Sequence, residues 1–245
     1  NTATLTGTPL QANLGDNQVV IVAKDSSGGI TNQSFVINVS NVNDLPVFTS
    51  TPVLTVNEDS VYEYTIVVKD EDLSGNVSIT SSTLPDFLTL KDNENNTATL
   101  TGTPLQANLG DNQVVIVAKD SSGGITNQSF IITVSNVNDS PIFSSTPILT
   151  IDEDSTYTYY ITVLDEDLNE NILISAPVLP SWLTLVDNGN KTALLSGNPL
   201  HENVGNNVVK LRATDNEGVF SDQDFTINVL NNPNFENLQL ISSDD

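Results

Sequence analysis

The chain has 245 residues and a formal net charge of −24, although only 16% of its residues are charged. This acidity argues against nucleic acid and anionic membranes as partners, because phosphate groups are held by lysine and arginine, of which the chain has seven. The absence of cysteine excludes disulfides and thiolate metal sites. The acidity favours cations as ligands. No apolar run is long enough to span a bilayer, so we expect no direct membrane insertion of this segment.

A block of sequence repeats along the chain. Residues 1–44 return as residues 96–139 with differences only at Val36/Ile131 and Asn38/Thr133, and a diverged third copy starts near Lys191. The starts are 95 residues apart (96 − 1 and 191 − 96), which matches one small domain rather than a solenoid repeat. We therefore predict the C-terminal half of a module at 1–44 (the half-module), complete first and second modules at 45–139 and 140–232, and a tail or the start of a next segment at 233–245.

Short apolar–polar alternations separated by turn signals run through the first module, and no helical period appears. The run VYEYTIVVKDED, for example, places Val61, Tyr64, Ile66 and Val68 on the buried side of a strand. Together with PVFTSTPVLTVN, VSIT, LPDFLTL, TATLTGTP, NQVVIVAKD and NQSFIITVSN, this makes about seven strands in 95 residues. The pattern predicts an all-β fold of Greek-key β-sandwiches.

The second module repeats this scheme and adds no catalytic constellation. Phe87 and Trp182 occupy the same place in LPxFLTL and LPxWLTL, and we expect both to pack into a core. His201 is the single histidine and its counterpart is Gln106, so a Ser-His triad or a histidine-bound zinc has nothing to build on. We expect a surface histidine and no enzyme. Because the strands alternate, we expect some of the five tyrosines to face outward. They are Tyr62, Tyr64, Tyr157, Tyr159 and Tyr160.

Two short joints separate the modules. They read NVNDLPVF from Asn41 and NVNDSPIF from Asn136. Pro46 and Pro141 lack an N–H group, and each pushes the residue before it towards an extended conformation. The joints are therefore stiffer than a Gly/Ser tether.

Several motifs occur in the order found in cadherins. NVNDxPxF resembles the DxNDNxPxF linker of cadherin repeats, and VNEDS, KDED and AKDSSG fall where that family carries its Glu, DxD and Asp-Gly calcium motifs. LPxFLTL followed by LTGTP is more similar to the dystroglycan-type cadherin-like repeats of large bacterial surface adhesins. The resemblance covers essentially the whole chain. It implies tandem cadherin/Ig-like sandwiches in an extended rod, which calcium between consecutive modules stiffens.

The residues around the joints supply the donors that calcium prefers, because this ion takes six to eight oxygens from carboxylates, amides and carbonyls. A divalent cation would also turn the repulsion among these acids into attraction. The other interpretation is that the same residues only serve turns. The predicted Ca²⁺ ligands are Asn41, Asn43, Asp44, Asp70, Asp72 and Asp120 around the first joint, and Glu58, Asn136, Asn138, Asp139, Asp165, Asp167 and Asp215 around the second.

The chain departs from cadherins in ways that reduce the number of ligands. The Leu-Asp-Arg-Glu motif is replaced by LTGTP and LSGNP, and the linker motif begins with Asn41 or Asn136 instead of aspartate. We therefore expect one or two weakly bound ions per joint. At a third joint, LNNPNF at 230–235, the linker aspartate is missing and Glu153 has few expected partners, so we expect no strong ion there.

These features favour a structural spacer or stalk of an extracellular adhesin or cell-surface filament, rigidified by interdomain calcium. The alternative is a carbohydrate- or protein-binding module of a surface protein, which diverging loops in one module would favour. The half-module and the first module share their loops almost residue for residue, which favours the spacer. We expect an extracellular or cell-surface location and an unidentified surface or matrix ligand.

The half-module contains only the later three or so strands of a sandwich, and half a sandwich would expose its apolar face. Two interpretations stay open. The chain is part of a longer polypeptide, or another copy or a further repeat of the same protein supplies the missing strands by complementation.

Overall fold

A computed structural model describes residues 2–72, 76–167 and 171–232, so the predicted segment 233–245 lies outside the described residues. The chain divides into two compact units, Asn1–Val137 and Asn138–Asp245. None of the helices in the described residues has the length and hydropathy that a membrane span requires.

The first unit contains a β-hairpin followed by a sandwich of two four-stranded sheets. Its strands are β1 Gly15–Lys24, β2 Ile30–Val39, β3 Val47–Phe48, β4 Thr55–Asn57, β5 Tyr62–Lys69, β6 Ser78–Thr83, β7 Leu88–Asp92, β8 Thr97–Gly102, β9 Gly110–Lys119 and β10 Ile125–Ser135, with short 3-10 turns at Gln11–Asn13 and Gln106–Asn108. The hairpin pairs β1 with β2. The sandwich sheets have the orders β3-β5-β8-β7 and β4-β10-β9-β6.

The second unit contains a sandwich of the same topology. Its strands are β11 Ile142–Phe143, β12 Thr150–Asp152, β13 Tyr157–Leu164, β14 Leu173–Val178, β15 Leu183–Asp187, β16 Thr192–Gly197, β17 Gly205–Thr214 and β18 Phe220–Leu230, with a 3-10 turn at His201–Asn203. The sheets have the orders β11-β13-β16-β15 and β12-β18-β17-β14. The prediction of an all-β fold of tandem β-sandwich modules is confirmed.

The opening stretch of the first module is divided between the two sheets. β3 pairs with β5 in antiparallel fashion, whereas β4 pairs with β10 in parallel. Pro52 lies between β3 and β4, and without an N–H group it cannot continue a strand ladder. The described residues of this module therefore form eight strands, from β3 to β10, where about seven were predicted.

The core of the first module lies between its two sheets. β5 buries every second residue from Tyr62 to Val68. Val61, predicted to point inward, is instead 71% exposed and precedes the strand. The alternation begins at Tyr62 because its hydroxyl donates to the carbonyl of Val53 at 2.8 Å, which allows the ring to be buried.

The aromatic residues behave largely as predicted. Phe87 and Trp182 pack against the cores of the first and second modules. The indole N–H of Trp182 donates to Asn207 Oδ1 at 3.0 Å, and its ring meets Tyr157 edge-on. Tyr160 is the tyrosine that faces outward, with 74% exposure.

The half-module departs from the prediction of about three strands. Its described residues form the β1–β2 hairpin and a 3-10 turn, while residues 2–7 form no strand. Strand structure needs a hydrogen-bonded neighbour, and no strand of the described residues pairs with this segment.

Candidate metal centres at the acidic loops

Three loops of the first unit bring together the predicted ligands of the first joint. The linker after β2 carries three of them, the loop after β5 carries two, and the turn between β9 and β10 carries one. Loops at one end of a sandwich lie close together because consecutive strands run in opposite directions. We call this set the first acidic cluster: Asn41, Asn43, Asp44, Asp70, Asp72 and Asp120.

Hydrogen bonds tie the linker to the loop after β5. Asn41 Nδ2 donates to Asp72 Oδ1 at 2.7 Å, and the backbone N–H of Asp44 donates to Asp72 Oδ2 at 2.8 Å. The N–H of Asp72 donates in turn to Asp70 Oδ1 at 2.8 Å. Asp70 Oδ2 is buried and has no hydrogen-bond partner. A buried carboxylate oxygen in this state costs free energy, which a cation would relieve.

Asp120 holds both its own turn and the linker. Its Oδ1 accepts the N–H groups of Ser122 and Gly124, both at 2.8 Å, and its Oδ2 accepts Asn43 Nδ2 at 2.9 Å. The pKa of Asp120 lies below its ordinary value of 3.8, mainly because of the hydrogen bond from Asn43. The turn N–H groups lower it further, whereas burial acts in the opposite direction. Asp120 is therefore ionised at neutral pH, as a calcium ligand must be.

The second unit repeats this arrangement in a second acidic cluster. Asp139 N–H donates to Asp167 Oδ2 at 2.7 Å, and Asp167 N–H donates to Asp165 Oδ1 at 2.9 Å. Asn138 Nδ2 donates to Asp215 Oδ2 at 2.8 Å. Burial would raise the pKa of Asp215, but the hydrogen bonds from Asn138 and the turn N–H groups outweigh it and lower the pKa. The cluster comprises Asn138, Asp139, Asp165, Asp167 and Asp215.

Glu58 and Asn136, the other predicted ligands of the second joint, belong to the first unit. Glu58 is 1% exposed, and its Oε1 accepts the backbone N–H of Val137 at 2.9 Å. This bond fixes the carboxylate beside the end of β10. Asn136 is exposed.

Glu153 occupies the corresponding position in the second unit and has two hydrogen-bond partners. Its Oε1 accepts the N–H of Asn232 at 2.8 Å, and its Oε2 lies 3.0 Å from His201 Nδ1. His201 is thus exposed, as expected, yet tied to a buried carboxylate. No sequence signal pointed to this pair, because the first module has Gln106 in place of the histidine and the partners are 48 residues apart.

The chemistry of the two clusters suits calcium, although many of their oxygens are engaged in hydrogen bonds. Carboxylate and amide oxygens are hard donors, and Asp70 Oδ2 is an orphaned one. Within residues 2–72, 76–167 and 171–232, no group of three or more acidic or histidine side chains is placed to hold a metal ion. Asn41 and Asn43 present their NH₂ groups to carboxylates, so an ion would require these amides to rotate and present oxygen.

Comparison with known proteins places both sandwiches in one family. Residues 45–135 and 140–230 each match the family He_PIG, described as Putative Ig domain. A comparison with curated proteins gives no match.

Solved structures show which folds resemble the chain. PcdhgB3 EC1-4 is 19% identical with a TM-score of 0.58, and the match covers 92% of this chain and 60% of that one. The extracellular cadherin domains 1-5 of protocadherin gamma B2 are 19% identical with a TM-score of 0.53, over 91% and 46% of the two chains. At these identities the likeness shows a shared fold.

The endo-fucoidan hydrolase MfFcnA4 from glycoside hydrolase family 107 is 23% identical with a TM-score of 0.38, over 92% of this chain and 35% of its own length. A similarity of this size carries no argument about activity. The chain thus spans less than two thirds of each of these three proteins. Because the family match extends over both complete sandwiches, and so over more than half of the sequence, the chain belongs to the He_PIG family of immunoglobulin-like domains.

Proposed function

We propose that the chain is a structural spacer of an extracellular adhesin or cell-surface filament, in which calcium bound at the acidic clusters stiffens the joints between modules. The supporting observation is the recurrence of the same linker-to-loop hydrogen bonds in both units. Asp44 N–H reaches Asp72 as Asp139 N–H reaches Asp167. A residue that served only its own turn would not also hold a linker.

The family and the repeat support the spacer part of the proposal. Tandem Ig-like and cadherin-like domains are typically extracellular, non-enzymatic and compatible with a spacer or adhesion role. Near-identical copies add length or valency, whereas an enzyme rarely gains from copying its site. The finer assignment to the dystroglycan type, and to the surface of a cell, rests on the LPxFLTL and LTGTP motifs.

The energy expected from each ion is modest. At ~1 mM external calcium and a dissociation constant of ~0.1 mM, one ion stabilises the bound form by about 1.4 kcal/mol. That is enough to bias a hinge. It is small beside the burial of a whole core, so each sandwich should fold without calcium.

The ligand-binding alternative gains little from one charged group that differs between the modules. On the second module, Arg212 donates to Asp222 at 2.7 Å and lies over the ring of Phe220 at 3.6 Å, where the first module has Val117 at the arginine position. These groups are paired with one another, which suits a stabilised strand pair. We therefore keep the spacer as the proposed function.

Small-angle X-ray scattering of the whole chain, with ~1 mM calcium and with a chelator, tests the proposed stiffening. We expect the chelated chain to show a broader distribution of distances and more flexibility, with an unchanged Trp182 emission because the second core stays folded. The double variant Asp70→Asn, Asp72→Asn should scatter in calcium with more flexibility than the unaltered chain. Identical scattering with and without calcium would leave only the turn interpretation.

A further inference from the structure

The half-module presents an apolar face that is buried where the same sequence recurs. Leu5 is 62% exposed and its counterpart Leu100 is 0% exposed. Ile21 is 40% exposed and its counterpart Ile116 is 0% exposed. The neighbouring sequence is the same in both copies, so the difference comes from what packs on the face.

The backbone of the half-module differs in the same way. Residues 97–102 form β8, which pairs with β5 on one side and β7 on the other. The same six residues at 2–7 form no strand. The segment therefore becomes a strand where neighbours are present to take its hydrogen bonds.

A groove in the half-module marks where the missing neighbours would lie. It has a volume of about 430 Å³, and its lining includes Leu5, Val19 and Ile37. Their counterparts in the first module share one core cluster with Tyr62 of β5 and Leu88 of β7. The groove is therefore lined by residues whose counterparts pack with side chains of these two strands.

We propose that this face is an acceptor for a polypeptide segment that carries the pattern of residues 45–95 and completes a third sandwich. Such a donor segment has an alternating Tyr-x-Tyr-x-Ile-x-Val strand and a Leu-Pro-x-Phe-Leu-Thr-Leu strand. These two strands flank residues 2–7 as β5 and β7 flank β8. A third strand, equivalent to β4, lies parallel to the end of β2 as β4 lies parallel to β10.

The size of the face argues against the alternative occupant, which is the same face on another copy of the chain. Each hairpin strand has 10 residues. The strands are thus about 33 Å long and together about 10 Å wide, which gives a face of about 330 Å². A stable interface buries about 800 Å² per partner, and two hairpin faces fall short of it, whereas a donor segment also pairs with both edges of residues 2–7, as β5 and β7 pair with β8.

Binding of a synthetic donor peptide to the whole chain tests the proposal. The peptide spans residues 45–95 with Phe87→Trp, which the core tolerates because Trp182 occupies that place in the second module. The acceptor carries Trp182→Phe, so the peptide has the single tryptophan. We expect a one-to-one complex, a blue-shifted emission and slower amide hydrogen exchange at residues 2–7 and 19–23. No change up to the solubility limit of the peptide would overturn the proposal.

Gly7 provides a variant that should block donor binding without altering the free chain. A Cβ at Gly102 would overlap the backbone oxygen of Phe87, whereas a Cβ at Gly7 meets nothing within 4 Å. Gly7→Ala therefore leaves the free chain unchanged but blocks the approach of the donor, and we expect binding to weaken at least about tenfold. Equal binding of the donor peptide by the acceptors with and without Gly7→Ala would overturn the proposal. So would a dimer of the chain alone in which residues 2–7 and β8 are both protected, because the hairpins would then pair with each other and no first module would have donated its β5 and β7.

A covalent version covers the case in which the peptide aggregates. A second copy of the sequence of residues 45–95 is joined ahead of Asn1 in the whole chain. We expect residues 2–7 to gain exchange protection, and Gly7→Ala to become destabilising there. Exchange at residues 2–7 as fast as in the chain without the added segment would contradict the proposal.

Discussion

Replacement of Leu100 by alanine is expected to lower the free energy of unfolding of the first module by about 2–5 kcal/mol, because it leaves a cavity in the core. Leu100 lies on β8 and is fully buried in a cluster with residues of both sheets. Leu5→Ala is the matched control, since Leu5 has the same neighbours in sequence and is largely exposed. We expect that control to change stability by less than about 0.5 kcal/mol.

Differential scanning calorimetry measures this pair. The Leu100→Ala variant should lower the unfolding temperature of the first module by about 8 °C or more, since about 4–8 °C corresponds to 1 kcal/mol in a domain of this size. Trp182 lies in the second module, so its emission reports the unfolding of that module. The Leu100→Ala substitution should leave the temperature of that unfolding unchanged. Equal shifts for Leu100→Ala and Leu5→Ala would show that burial in the first module is not what distinguishes them.

Gly102→Ala is expected to destabilise the first module by about 3 kcal/mol, at the upper end of the cost of overpacking, because backbone must move to admit one methyl group. Gly102 lies opposite Tyr62 on β5 and Leu88 on β7. A Cβ there would overlap the carbonyl oxygen of Phe87, which is backbone and cannot swing away. β8 therefore needs glycine at this position for space rather than for backbone freedom.

The same close approach occurs at Gly197 in the second module, where a Cβ would overlap the backbone oxygen of Trp182. Gly197→Ala should therefore have a similar cost, and its urea unfolding can be followed by the emission of the adjacent Trp182. Gly7→Ala serves again as the control with unchanged stability. Urea midpoints for Gly102→Ala and Gly197→Ala that match the unaltered chain would contradict this account of β8 and its counterpart β16.

The fold was predictable because alternation and turn signals are local properties of the sequence. They indicated β-sandwich modules, and both cores formed around the expected strands. The error at Val61 arose because Val61 lies three residues before Tyr64 and is out of phase with the two-residue alternation of Tyr64, Ile66 and Val68, whereas Tyr62 is in phase with it. Tyr62 can be buried because its hydroxyl donates a hydrogen bond to the carbonyl of Val53. The division of β3 from β4 was missed because it depends on pairing with strands far along the chain.

The candidate site was predictable in its residue types and less so in its contacts. The repeated Asn and Asp residues of each unit do meet within that unit, as Asn43 with Asp120 and Asn138 with Asp215. The backbone N–H groups of Asp44, Val137 and Asp139, which donate to carboxylates, carry no sequence signal.

The half-module shows a further limit of sequence reasoning. Residues 2–7 and 97–102 are identical, but only the second set forms a strand. Local sequence therefore sets what a segment can become, and its neighbours decide whether it does.

Calcium titration by isothermal calorimetry on the whole chain tests the central claim most directly, with Asp120→Asn compared against Asp25→Asn. Both aspartates support an identical turn. Asp25 Oδ1 accepts the N–H groups of Ser27 and Gly29, and Asp120 Oδ1 accepts those of Ser122 and Gly124, all at 2.8 Å. Asp120 also belongs to the first acidic cluster.

We predict that the unaltered chain and Asp25→Asn bind calcium at two joints, and that Asp120→Asn loses binding at one of them. Absence of binding heat in the unaltered chain at millimolar calcium, or equal binding by all three proteins, would contradict the claim that these clusters hold the ion.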